Sequence, residues 1–149
     1  MAALLDVNAL IALIDSDHVE HRAMEKWFLK HHQAGWATCP LSENGSVRVL
    51  SQATYPSGQR TPAEVIQTLN ALKAAFDESY EFWPDDVSLL DRKIFNQTLI
   101  AGPRQVTDIY LLGLAMRHKA SLVSFDRTLA WQGVRGAPAS MIQCPRTAH

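Results

Sequence analysis

A chain of 149 residues, 47% hydrophobic and 19% charged, has the length and balance of one folded domain with a sizeable core and excludes a disordered chain. A formal net charge of −1 argues against a strongly basic nucleic-acid binder. If four of the 15 acidic residues serve a metal, however, the other 11 face 14 basic ones, and the remaining surface is net positive enough to permit a phosphate-bearing partner.

In chain order, residues 3–6 are predicted as a short buried strand that runs directly into a helix over 7–14. A second helical pattern covers 19–32, with Met24, Trp27 and Phe28 on one face, and Ala34-Gly35 breaks it. GWATCP is predicted as a second strand, stopped by Pro40, followed by a helix over 41–51. Residues 54–62 form a turn-rich loop. Thr61-Pro62 is a strong helix start, and Val65, Leu69, Leu72 and Phe76 give that helix an apolar stripe. YEFWP is a third strand; Ser88 is predicted to cap a helix over 89–99, broken by AGP. Thr107 is predicted to cap a helix reaching about Lys119, followed by the strand SLVSF, a short helix over 126–131 and a last strand in ASMIQC. Short apolar strands alternating with helices imply a parallel sheet covered on both faces, in a single domain over residues 1–149.

Two cysteines, Cys39 and Cys144, each beside a proline, are expected as buried free thiols suited to a reducing cytoplasm. The opening MAALLDVNALIALID lacks a basic n-region and is interrupted by Asp6 and Asn8, so no signal peptide is expected. No run approaches the ~18 apolar residues of a membrane span.

Right-handed crossovers place the start of each following helix at the carboxyl edge of a parallel sheet, where ligand sites lie. Asp6 is expected as the last residue of strand 1 and Asp126 as the last of strand 4. Glu43 and Asp108 fall in the first turns of helices that begin at the same edge. Each acid alone can be a helix cap or a first-turn residue that favours the dipole. Capping does not require four of them on one rim. Converging carboxylates repel and raise one another's pKa unless a cation joins them. All-oxygen donors with no nearby Cys or His point to Mg²⁺, or Mn²⁺, and to phosphodiester hydrolysis.

These residues carry a resemblance. LLDVNALIAL, SENG and VTDIYLLGLAMRHKASLVSFDRTL, with the chain length, resemble a PIN-domain ribonuclease, and within that superfamily a VapC toxin of a VapBC toxin–antitoxin pair. The resemblance covers nearly the whole chain and is loosest over residues 53–100. It implies a three-layer α/β/α fold of about five strands in the order 3-2-1-4-5, Mg²⁺-dependent endonucleolytic cleavage of RNA, and neutralisation by a VapB-like antitoxin. It also implies that Asp6, Glu43, Asp108 and Asp126 are the catalytic, metal-holding acids, with Asn8, Thr107 and Ser124 as supporting polar residues. The family includes both transfer-RNA and ribosomal-RNA cutters, so the target does not carry over.

Arg104 and Arg127 lie near the expected rim and are candidates to contact RNA phosphate; Arg48, Arg60, Arg92 and Lys93 are weaker candidates against a plain reading as solvated surface charge. Trp36, Trp83 and Trp131 are expected in or beneath the core. His18 and His21 have a metal-like spacing but no third ligand, and Asp15, Asp17, Asp85 and Asp86 read as turn residues. The apolar faces of the helices around 41–51 and 61–76 exceed what one small sheet needs, which suggests a homodimer seam or an antitoxin groove. The alternative to a ribonuclease is a non-catalytic RNA-binding domain of the same fold. A phosphoryl-transfer receiver would need a second acid after strand 1, and a flap nuclease would need insertions for which the chain has no room.

Overall fold

A computed structural model of the chain describes residues 1–146. Five strands form one parallel sheet: β1 (Ala3–Leu5), β2 (Trp36–Thr38), β3 (Tyr80–Phe82), β4 (Ser121–Val123) and β5 (Ile142–Gln143), in the order β3-β2-β1-β4-β5. The register pairs Ala3 with Trp36 and with Ser121, so β1 is central. Every residue of β1, β2 and β4 is buried, as strands covered on both faces require.

Alternation along β1 assigns the two faces. Leu4 joins Ala37, Leu122 and helix α5 (Val106–Arg117), whose Ile109, Leu111, Leu112, Leu114 and Ala115 are all buried. Leu5 joins Trp36, Val123 and two helices on the other face, α1 (Val7–Ile14) and α2 (His21–His31). Helices α3 (Pro40–Leu50) and α4 (Pro62–Ala75) pack beside α1, and Val65 and Leu50 meet Ile11 there. A Cβ at Gly45 would stand 2.7 Å from Val7 Cγ2, so the missing side chain lets α3 lie close against α1. The result is the expected three-layer α/β/α architecture.

Several local expectations are corrected. The helix over 89–99 does not form. Ser88 Oγ and Asp91 Oδ1 accept backbone N–H groups two residues on, and the backbone then pairs sideways: Phe95 bridges Val134, Asn96 N donates to Gly133 O and Arg135 N to Ile94 O. Side chains that offer the backbone local partners compete with the helix, and here Phe95 gains complete burial. Its ring occupies the place a side chain at Gly113 would need, since a Cβ there would sit 2.4 Å from Phe95 Cζ. The helix over 126–131 is likewise replaced by a turn and a 3-10 turn at Trp131–Gly133. Pro40 does not merely stop β2; it is the first residue of α3. Helix α2 starts at His21, after two turn residues. Thr107 is no cap: α5 starts one residue before it, out of a 3-10 turn at Pro103–Gln105. Asp126 lies three residues past the end of β4 instead of closing it.

Thr61 caps α4 as predicted, with Glu64 completing a capping box. Cys39 and Cys144 are free, the first buried and the second half-buried. Trp36 and Trp83 are buried, and Trp131 is half-buried against the α5 side of the core. Among the described residues no helix is long and apolar enough to cross a membrane.

Candidate active site

Asp6 lies one residue past the end of β1 instead of closing it, and starts α1. Its backbone is extended, its N–H donates to Val123 O at 3.1 Å, and its Oδ1 accepts the Ala9 N–H at 2.7 Å as the N-cap of α1. Only 1% of the residue is exposed. By alternation its side chain shares the face of Leu4, toward α5. There Asp108 stands in the first turn of α5, where the helix dipole favours an anion. Asp126 approaches from the loop after β4, its Oδ1 accepting from Thr128 N at 2.8 Å and Thr128 Oγ1 at 2.7 Å.

The Asp108 and Asp126 charges act on Asp6, and the Asp126 charge acts on Asp108. Burial, then the Asp108 charge, raises Asp6 from 3.8 to about 7; the Ala9 N–H and the Ser124 hydroxyl oppose the rise and Asp126 adds to it. Burial and the Asp126 charge raise Asp108 to about 6, with no hydrogen bond acting against them. Burial and like charge make the anionic forms of Asp6 and Asp108 costly, a cost that a bound cation would offset.

Glu43 sits apart from this trio. It is in the first turn of α3, and its Oε2 accepts from Thr38 Oγ1 at 2.7 Å and from Tyr80 OH at 3.4 Å; Thr38 Oγ1 and Tyr80 OH are themselves 2.6 Å apart. Its charge is not among the principal ones that displace Asp6 or Asp108. The chain thus brings Asp6, Asp108 and Asp126 together and turns Glu43 toward the ends of β2 and the start of β3.

Whether this set fits a metal can be tested on its chemistry. Among the described residues no group of three or more His, Cys, Asp or Glu side chains is placed so that it could hold a metal ion. Mg²⁺ does not need one: it keeps several waters and takes one or two carboxylates directly. The donors here are all hard carboxylate oxygens, and the repulsion among them is of the kind a divalent ion reverses. The residues fit an open Mg²⁺ or Mn²⁺ site better than a structural zinc or an enclosed calcium site.

The neighbours differ in how firmly they are engaged. Ser124 is buried, and its Oγ accepts the Asp126 N–H at 3.1 Å. Asn8 and Thr107 are exposed in the first turns of α1 and α5, and Arg104 and Arg127 are exposed beside Gln105 and Asp126. Arg60 is taken out of contention for phosphate: its Nη2 donates to the buried Asp15 at 2.9 Å. Arg117 pairs with Asp86, and Asp85 Oδ2 accepts the Leu41 N–H at the start of α3. His21 Nδ1 lies 2.7 Å from Ala12 O, and the His18 ring accepts the Glu20 N–H, which accounts for both without a metal.

Four participants were not foreseen: Thr38, Tyr80, Gln105 and Thr128. Only Thr128 had a local signal, the Asp-x-Thr spacing in which a carboxylate accepts from the backbone two residues on. Between α3 and α4, over β2 and β3, runs a groove of about 750 Å³ that includes Glu43, Arg48, Lys73, Tyr80, Ile66 and Phe82. Ile66 and Phe82 are about half exposed there.

Residues 3–131 match the family model of the PIN domain. The chain is 44% identical over 138 residues to Ribonuclease VapC44 of Mycobacterium tuberculosis, covering 92% of this chain and 94% of that one. It is 42% identical over 130 residues to Ribonuclease VapC39 of the same organism, covering 87% and 92%. Its fold is similar to that of Mycobacterium tuberculosis VapC20, a sarcin–ricin loop cleaving toxin, with a TM-score of 0.60 at 9% identity over 91% of this chain and 98% of that one. It is also similar to a chain of VapBC2 from Rickettsia felis, solved bound to a DNA fragment from its promoter, with a TM-score of 0.61 at 12% identity over 97% and 98%.

Proposed function

The chain belongs to the PIN-domain family, among the relatives of VapC ribonucleases, and from that premise we propose that it is a Mg²⁺-dependent endoribonuclease, the toxin of a toxin–antitoxin pair, acting on structured RNA in the cytoplasm. The observation that carries the reading is Asp6, buried as the N-cap of α1 at the carboxyl edge of the sheet and raised by burial and by the Asp108 and Asp126 charges. Asp6 and Asp108 would hold the ion, with Asp126 holding it directly or through water, and Glu43 would reach it from α3 only by leaving Thr38 and Tyr80. A divalent ion bound there supplies charge for the attacked phosphate and lowers the pKa of a coordinated water.

The chain's own residues do the rest. Asp6 is oriented by the Ala9 N–H, so its free oxygen has one direction available. Ser124 braces the turn that carries Asp126. Arg104 and Arg127, exposed next to the acids, are placed to meet phosphates flanking the cut. An open rim suits unpaired RNA loops better than a duplex. The half-exposed Ile66 and Phe82 along the α3–α4 groove support docking of a VapB-like antitoxin or of a second copy.

The test is to incubate the purified protein with total bacterial RNA in Mg²⁺ or in EDTA, beside Asp108→Asn, and to map new 5′ ends. Discrete ends that need both Mg²⁺ and Asp108 are expected. Cleavage that survives in Asp108→Asn would sink the reading, and binding without any cleavage would reassign the protein as a non-catalytic RNA binder.

A further inference from the structure

Gln105 occupies the N-cap position of α5 but makes no side-chain hydrogen bond to its own helix. Glutamine is not among the favoured caps, and its amide is committed elsewhere. Nε2 donates to Thr128 O at 2.9 Å, and Oε1 accepts the Ala130 N–H at 2.7 Å. Two bonds of opposite sense from one planar amide fix both the distance and the tilt of the loop after β4. Thr128 then turns back on Asp126 with two donors, backbone and hydroxyl, both onto Oδ1. Oδ2 is left free of either.

The connection runs from one acid to the other. Asp108 lies on α5 three residues after Gln105; Gln105 holds Thr128; and Thr128 holds Asp126. Thr128 is exposed, so its hydroxyl could be satisfied by water and has no burial penalty to avoid. Its 2.7 Å bond to Asp126, an ordinary length for a hydroxyl on a carboxylate, adds a second donor to the backbone N–H and so narrows the orientation of that carboxylate. Neither residue is a charge or a ligand in its own right.

We propose that Gln105 and Thr128 are positioning residues, which fix the rotamer of Asp126 and its offset from Asp108 so that the two carboxylates meet one divalent ion. The proposal rests on the metal-site reading of the rim. It is testable apart from turnover, because partners that orient a ligand typically change metal affinity about 10- to 100-fold.

The experiment is calorimetric titration of Mn²⁺ into the metal-free full chain, with thermal unfolding of each metal-free variant alongside. Thr128→Val is expected to weaken Mn²⁺ about tenfold or more, while Thr128→Ser, which keeps the hydroxyl, stays within about threefold of the parent. Gln105→Ala is expected to fall between them, and the losses in the Gln105→Ala/Thr128→Val pair to be less than additive, because Gln105 acts on Asp126 through Thr128, whose backbone donor the Val keeps. Parent-like Mn²⁺ affinity in Thr128→Val, with a loss in Asp108→Asn, overturns the positioning role and leaves the metal site standing. Undiminished affinity in Asp108→Asn removes the metal site and the positioning role together. A loss in Thr128→Val that Thr128→Ser does not rescue, with a matching fall in unfolding temperature, assigns Thr128 to loop stability and overturns the proposal.

Discussion

Helix α1 carries a buried aspartate at each end, and the two are in opposite states. Asp15, just past its C-terminus, receives Tyr55 OH at 2.6 Å, Ser57 Oγ at 2.8 Å, Arg60 Nη2 at 2.9 Å and the Asp17 N–H at 3.0 Å. Burial alone would push its pKa up, but these partners outweigh it and hold the carboxyl below its ordinary range. Asp6, at the N-terminus, accepts the Ala9 N–H, is helped by one hydroxyl, and faces two other acids; it rises to about 7. A carboxylate that the fold has fully partnered holds a loop in place. One that the fold leaves short of positive charge is a candidate binding position.

The sharpest way to break this contrast is to neutralise each residue in turn. Asp6→Asn keeps a good helix cap and removes the repulsion. RNA cleavage is expected to fall at least about 100-fold, while the metal-free protein unfolds about 2–4 °C higher for each kcal/mol of repulsion relieved. A lower unfolding temperature would mean that the fold depends on the Asp6 charge. Asp15→Ala should do the reverse, costing about 3 kcal/mol because Arg60 loses its buried partner, with cleavage per folded molecule retained. Urea denaturation at matched activity separates the two.

The pH dependence of the metal-free protein follows next in size. Asp6 and Asp108 have folded values, about 7 and about 6, above the ordinary 3.8. Their contribution to stability is therefore full below pH ~4 and is lost as pH rises through 6 to 7. Asp15 has the opposite sign, with stability present above 3.8 and lost as pH falls through its lowered value. Urea midpoints in EDTA are expected to decline between pH 4.5 and 7.5, and to decline less in Asp6→Asn. A midpoint that climbs over that range would contradict the repulsion. The smallest effect is Tyr55→Phe, which removes one of four donors to Asp15 and should cost about 1.5 kcal/mol without changing cleavage.

Asp6 was legible because a strand that ends in Asp and enters a helix at once has few other geometries. The edge at which Asp108 and Asp126 lie came from strand polarity and crossover handedness, and the strand order from the family resemblance alone. Glu43 fell on the same rim by that logic, yet its direction was not legible: it depends on Thr38 and on Tyr80, 37 residues away on β3. Asp15 was read as a turn because nothing local announces a partner 40 residues downstream. The helix expected over residues 89–99 failed for a related reason. Ser88 looked like a helix cap, but the backbone of residues 94–96 found its partners in residues 133–135, a tertiary contact that local pattern does not encode.

The ring of Phe95, seated where a side chain at Gly113 would be, imposes an order on evolutionary change. Gly113→Ala in this background forces a clash with the ring deep in the α5 layer, so position 113 is closed to ordinary drift while Phe95 remains. Once a smaller residue replaces Phe95, the glycine becomes free to acquire a methyl and α5 gains helix propensity. The two positions should therefore change together, in that sequence, among descendants of this chain. The least regular part of the molecule would then set the pace at which one of its most regular helices can diversify.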